Sequence, residues 1–347
     1  MTTEPITAMK THGLGISRYQ RGFSLVELMV ALVLGLALVA AVGALSVNTL
    51  RSYRVLNLAG GQIENGRYAF KLIRDDVEHA GFWGVFNPAS LSLPSSQPDP
   101  CVTSTPPLKN LADSVLLPVT GTCAVTLTSK LGGTNTLILL RASSRVAPCS
   151  EIDDDDKNKE NTYIQTIYDT CIIGKNTSLI KREGSHIEAS TVPKPDCSLY
   201  SLVKPDDSKA DIRQFHVRIY YIRSYSQTGD GIPTLMRKDP INGDGAADAM
   251  VEGIENMQIR YGIDDNRDGF PDRYTTATAP PNSMSDWSNI VAVKIFLLVR
   301  DLQATSGYTD TATYDLGGLS VTPGGAYHRR VFSQTIRLIN PAGRREQ

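Results

Sequence analysis

The residues Arg21-Gly22-Phe23-Ser24-Leu25-Val26-Glu27-Leu28-Met29-Val30 open a stretch that runs on to Leu50 with no charge after Glu27. The uncharged part, Leu28 to Leu50, is 23 positions of mainly Leu, Val, Ala and Gly. A helix of about 20 such residues spans a hydrocarbon core of about 30 Å. A buried core helix does not need to be apolar on every face, and this run is. It is too long for a secretory signal core, and no A-x-A cleavage site follows it. Upstream, Lys10, Arg18 and Arg21 against Glu4 give the first 22 residues a charge of +2. Positive charge holds that end in the cytoplasm and sends the C-terminal bulk outward.

Glu27 complicates a plain anchor. A carboxylate at the start of a membrane helix costs a few kcal/mol unless something pairs with it. The string Gly22-Phe23-Ser24-Leu25-Val26-Glu27-Leu28-Met29-Val30 resembles the class III signal of type IV pilins and pseudopilins. The resemblance implies cleavage after Gly22 by a prepilin peptidase on the cytoplasmic side, followed by N-methylation of Phe23. It also implies that Glu27, the fifth mature residue, pairs with a neighbouring subunit's terminal amine as helices stack. Such a pairing neutralises a charge that low dielectric would otherwise penalise. A signal anchor with a glutamate at its edge is the other reading of the same residues.

The helix is expected to continue beyond the membrane. Leu56, Ala59, Ile63, Gly66, Phe70, Ile73, Val77 and Ala80 fall at alternating steps of 3 and 4, an apolar seam. Arg51, Arg54, Asn57, Glu64, Lys71, Arg74, Asp75 and Glu78 occupy the other face. The resemblance implies a leader over 1–22, and the pattern predicts a membrane half over 23–50 and an amphipathic half over 51–80. Gly81 stands where a helix stops, with Pro88 beyond it.

From 81 to 347 short apolar runs are broken by Gly, Pro, Asn and Asp, which predicts strands. They are expected at Val115–Val119, Ala124–Thr128, Thr136–Arg141, Tyr163–Ile167, Cys171–Ile173, Ile212–Ile222, Thr234–Arg237, Asn256–Tyr261, Asn289–Val299 and Arg330–Ile339. The fold class is therefore α+β: a long N-terminal α-helix packed on an antiparallel β-sheet domain, which is also the pilin-like fold. Residues from about Met250 to Asn340, with "MVEGIENMQIRYGIDDNRDGFPDRY", "WSNIVAVKIFLLVRD" and "RRVFSQTIRLIN", look like the PilW-type minor pilins. Residues of about 90–210 carry no comparable signal and read as a loop-rich insertion.

Cys101, Cys123, Cys149, Cys171 and Cys197 all lie on the outward side, where an oxidising periplasm permits two disulfides and one remaining thiol. Short loops favour Cys101–Cys123 and Cys149–Cys171. No CxxC spacing points to zinc or redox chemistry. The loop Asp264-Asp265-Asn266-Arg267-Asp268-Gly269-Phe270-Pro271-Asp272 has alternating oxygen ligands and a turn glycine, as a calcium loop requires. Asp264, Asn266, Asp268 and Asp272 would supply side chains and Phe270 a carbonyl. The twelfth position is Thr275 instead of the bidentate glutamate, and a solvated Asp/Asn turn is the plain alternative. Asn242-Gly243-Asp244-Gly245 and the run Asp153 to Asp156 read as a turn and a solvated loop. His79, His186, His216 and His328 show no metal-ligand spacing, and His216, between Phe215 and Val217, reads as structural.

Lys plus Arg (35) nearly balances Asp plus Glu (36), and removing a +2 leader from a chain of −1 leaves −3, so bulk charge gives nucleic-acid capture no support. No P-loop, G-x-S-x-G or strand–G-x-G-x-x-G–helix pattern occurs, which predicts a structural protein and not an enzyme. The resemblance implies a minor pilin in a priming or tip complex that starts pilus assembly. Its implied partners are other minor pilins, the major pilin, a tip adhesin, the prepilin peptidase and the inner-membrane assembly platform. The implied location is a single pass through the inner membrane with a periplasmic C-terminal domain, and the pilus after assembly. A minor pseudopilin of a type II secretion system and a membrane-anchored periplasmic enzyme or binding domain are the alternatives.

Overall fold

The computed structural model describes residues 22, 24–88, 91–101, 107–154, 161–193, 196–276 and 279–346. The chain divides into two compact units, one up to Asn57 and one from Leu58 to Gln347. A single helix, α1 (Leu25–Glu78), runs through the first unit and opens the second.

In the first unit the segment Leu25–Val47 has a mean hydropathy of 2.8 and none of it is buried. Its 23 residues rise about 35 Å as a helix, enough for a hydrocarbon core.

The second unit contains fifteen strands among the described residues, in two main antiparallel sheets and one short pair. The larger sheet holds β1 (Val119–Thr120), β2 (Leu137–Val146), β3 (Tyr163–Ile167), β4 (Thr170–Lys175), β5 (Ser178–Glu183) and β6 (His186–Thr191). It also holds β7 (Ile212–Arg223), β8 (Thr234–Lys238) and β9 (Ala247–Glu252). Its order is β1-β2-β7-β3-β4-β5-β6, and β8 pairs with the far part of β7 and with β9. The second sheet has the order β11-β10-β12-β15, from β10 (Ile254–Ile263), β11 (Arg273–Tyr274), β12 (Ile290–Arg300) and β15 (Arg329–Arg337). The strands β13 (Tyr314–Asp315) and β14 (Ser320–Val321) pair with each other.

Period-2 alternation divides the interior. On β2, Leu137 and Leu139 enter one core while Ile138 and Leu140 enter another. The first core takes Ala69, Phe70, Ile73, Val77 and Ala80 from the helical segment onto both sheets, against Met257, Ile259, Val293, Ile295 and Leu297. The larger of these side chains, such as Ile73, Val77 and Leu297, each contribute about 1.5–3 kcal/mol by their burial. The second core lies on the other face of the larger sheet, where Trp83, Phe86, Leu108 and Leu111 cover Phe215, Val217 and Ile219. A third, smaller cluster gathers Tyr163, Ile172, Tyr200 and Ile212.

Polar contacts fix the helix as well. Asp76, 4 % exposed, accepts from Arg141 Nε (3.0 Å) and from the Tyr220 hydroxyl (2.6 Å). Burial alone would raise the Asp76 pKa, but Arg141, Tyr220 and Arg218 outweigh it and hold the carboxyl below its ordinary range. Gly81 ends the helical run at φ +70, with its N–H on Leu140 O at 2.8 Å. A Cβ there would meet Pro118 and Pro341 at 3.1 Å, so both conformation and space call for glycine.

The α+β class with a long N-terminal helix and antiparallel sheets is what the sequence predicts. Several details differ. The apolar seam is buried from Gly66 to Ala80, while Leu56 is 67 % exposed. Of Val115–Val119 only Val119 enters a strand, because Pro107–Ser114 forms a helix whose end buries Val115 to Leu117. Ala124–Thr128 forms no strand: Asp99 Oδ2 accepts the Ala124 N–H at 2.7 Å. The stretch 90–210 is not a loop-rich insertion either. It supplies β1 to β6, six strands of the larger sheet.

Candidate functional site

Gly22 is exposed, and Ser24 precedes the first helical residue. The leader before Gly22 and Phe23 itself lie outside the described residues. At the helix start two bonds run in opposite directions. The Glu27 N–H donates to Ser24 Oγ at 3.1 Å, and the Ser24 N–H donates to Glu27 Oε2 at 3.0 Å. This is a capping box, and it satisfies two backbone donors that a helix start leaves unpaired. The S-x-x-E spacing was legible in the sequence, where Glu27 was read only for its pairing with a neighbour. The same carboxylate is the one ionisable group in Leu25–Val47, a segment otherwise apolar and wholly exposed.

The loop after β10 is organised by its own carboxylates. Asp264, fully buried, accepts the N–H groups of Arg267 (2.6 Å), Asp268 (3.2 Å) and Gly269 (2.9 Å), and Arg345 Nη1 donates to its Oδ2 at 3.0 Å. Burial would raise the Asp264 pKa, but Arg345 and these N–H groups hold it below the usual carboxylate range. Asp272 Oδ2 accepts from the Asp265 and Asn266 N–H groups, Asn266 Oδ1 from Asp268 N–H, and Asp268 Oδ1 from Phe270 N–H. Thr275 is buried, and its hydroxyl accepts from Tyr261 N–H at 2.9 Å. Gly269, at φ +86, lies so close to the C-terminal helix that a Cβ would meet Ala342 O at 2.8 Å. Of the groups expected to hold calcium, Asp264 is thus engaged with backbone donors and a guanidinium, and Asn266, Asp268 and Asp272 each accept at least one backbone N–H. Among the described residues, the group of metal-type ligand atoms within 4.8 Å of one another is Asp99, Cys101 and Cys123, not the carboxylates of this loop.

Those two cysteines are bonded to each other, so that trio offers no thiolate for a metal. The second disulfide is Cys149–Cys197, not Cys149–Cys171. Strand order explains the difference. Cys171 lies inside β4, buried and free, with its thiol pushed up to about 12 by burial. Cys197 follows β6, where the Asp153 carboxylate accepts its N–H beside Cys149.

His216 is buried and hydrogen-bonded through Nδ1 to Asp239 Oδ2 at 2.8 Å. Asn242 Nδ2 reaches the same carboxylate oxygen at 2.9 Å and also donates to Phe215 O, which ties the turn after β8 to β7. Burial lowers the His216 pKa more than Asp239 restores it. This is a structural arrangement. The Asn242–Gly245 run is a turn, with Gly243 and Gly245 at positive φ.

An exposed apolar helix opening on a capping box, followed by an antiparallel β domain, is the arrangement that the resemblance to type IV pilins implies. Residues 17–43 match the prokaryotic N-terminal methylation motif. Residues 219–340, which run from the end of β7 through β15, match the family Type IV Pilus-assembly protein W. Among solved structures, a type IV-like pilin from Thermus thermophilus is similar at 10% identity and a TM-score of 0.22, over 55% of this chain and 90% of that chain. No curated protein sequence matches the chain.

Proposed function

We propose that the chain is a minor pilin that helps start pilus assembly within a priming or tip complex of minor pilins. The observation that carries this reading is the segment Leu25–Val47, apolar save for Glu27 and with none of it buried among the described residues. Such a surface needs lipid before assembly and the helices of other subunits afterwards. Cleavage after Gly22 would create a terminal amine at Phe23, the site of methylation, four residues from Glu27.

Glu27 has two roles in this proposal. In the free subunit its carboxylate caps its own helix through the Ser24 amide. In the assembled complex the same carboxylate pairs with the terminal amine of a neighbour, an ionic partner stronger than a neutral amide. The chain therefore enters the fibre by exchanging an internal bond for an intersubunit one.

Complementation of a strain lacking the chain tests this. Glu27→Ala should reach the membrane at wild-type level and prime few or no pili. Normal pilus number in that variant would remove the pairing role. Mass spectrometry of the native protein should find a methylated Phe23 at the terminus of a 325-residue chain, 22 fewer than the 347 encoded. An intact Met1 terminus would overturn the processing.

A further inference from the structure

A cavity of about 320 Å³ opens between the segment after Trp83, the loop following β10 and the C-terminal helix Ile339–Gly343. Its volume is at the lower end of the range for ligand sites. Leu91, Leu116 and Pro118 form an apolar wall, and Arg267, Arg344 and Arg345 line the opposite side.

The three arginines are not equivalent. Arg345 is fully engaged, with Asp264, Ser288 O and Asn289 Oδ1 as acceptors. Arg344 donates only to the Gly81 carbonyl, at 3.2 Å, and no carboxylate pairs with it among the described residues. Burial, with Arg345 beside it, pushes its pKa down to about 10, the mark of a cation without its counter-charge. Arg267 is exposed and has no ion pair among the described residues. Its backbone stands at φ 66, a left-handed conformation costly for a long side chain. The Asp264 carboxylate fixes that conformation by accepting the Arg267 N–H at 2.6 Å. The carboxyl loop thus presents a guanidinium to the cavity. Asp264 answers Arg345, while Arg267 and Arg344 have no carboxylate partner among the described residues, which leaves positive charge next to exposed apolar surface, Leu93 being 43 % exposed.

We propose that this cavity binds an acidic peptide segment of a partner protein, with one side-chain carboxylate on Arg267 and Arg344 and a flanking apolar side chain against Leu91, Leu116 and Pro118. A guanidinium pair suits a carboxylate, and the adjoining wall removes apolar surface from water. This stands independently of the assembly reading, since it rests on residues of the β domain alone.

The test uses the full-length protein in detergent micelles and a fluorescent N-acetyl-Leu-Glu-Leu amide peptide, read by anisotropy. The peptide should bind, weaken as salt rises, and lose about tenfold in affinity in Arg344→Ala and in Arg267→Asn. Asparagine tolerates the left-handed backbone, so Arg267→Asn keeps the fold if Arg344→Ala does not. The Leu-Gln-Leu peptide should bind at least tenfold more weakly. Equal affinity for the glutamine peptide, unchanged affinity in Arg267→Asn, or no binding at all would overturn the proposal. Displacement by inorganic phosphate at concentrations that match the peptide's own affinity would also overturn it, since a bare anion would then suffice.

Discussion

From Leu25 to Val47 no residue of α1 is buried, whereas between Gln62 and Val77 the residues Gln62, Gly66, Ala69, Phe70, Ile73, Asp76 and Val77 are. Both stretches are helical, and both are rich in apolar residues. What differs is arrangement. The first is apolar all round and needs a solvent of hydrocarbon. The second is apolar on one stripe and needs one protein surface. The stripe also admits polar groups: Asp76 is buried against Arg141 and Tyr220, and Gln62 donates to Asp301 Oδ1. Helix propensity alone cannot distinguish the two, and the distribution of polar residues around the axis can.

Breaking the buried half should have the largest effect. Asp76→Ala leaves Arg141 without its carboxylate, and loss of one partner of a buried pair costs about 3–5 kcal/mol. Denaturant unfolding of the chain in micelles would measure it. Because the folded Asp76 pKa lies below the ordinary 3.8, its contribution is fully present above that value and is lost as pH falls through the lower folded value. The gap between Asp76→Asn and wild type should hold from neutral pH down to about 4 and close below it.

A matched pair sharpens the contrast. Ile73→Ala, in the core, should cost about 2–5 kcal/mol in the same unfolding measurement. Leu34→Ala, on the exposed segment, should change it by less than about 0.5 kcal/mol. For membrane insertion the sensitivity reverses. Leu34→Arg should cost about 2.5–3.5 kcal/mol, read as a soluble fraction in cell fractionation, and Ile73→Ala should leave insertion unchanged.

Ser24→Ala removes the hydroxyl half of the capping box and should cost the helix start about 1 kcal/mol, seen as faster amide exchange over the first turn. The smallest effect belongs outside the helix. Calcium would have to displace Arg345 from Asp264, so the melting temperature should be the same in calcium and in chelator. A rise of several degrees in calcium would restore the metal reading of Asp264, Asn266, Asp268 and Asp272.

The helix and the strands β10, β12 and β15 could be read from sequence because each carries its pattern locally: an unbroken apolar run, or a long alternation with one face in the core. The strands β5 and β6 could not. β6 runs from intermediate to exposed and β5 buries only Ile180 and Arg182, so neither Ser178–Glu183 nor His186–Thr191 shows a continuous apolar face. They are held by ladder bonds to β4 and to each other. The second disulfide was illegible for a related reason, since short loops favour Cys171 and only the sheet order brings Cys197 to Cys149. The partner of Asp264 lies 81 residues away at Arg345, beyond any local spacing rule. In each case the missing information was tertiary.

The Cys149–Cys197 bond joins positions 48 residues apart, and β3, β4, β5 and β6 all lie between them. A cross-link closing a loop of that length stabilises by about 4 kcal/mol in the chain-entropy account. It also has a topological consequence. The four strands form a parcel tied at its neck, so a protease cutting inside it cannot release a fragment. A nicked chain would run as one band without reductant and as two with it. Damage at that site becomes an opened seam and not a lost piece.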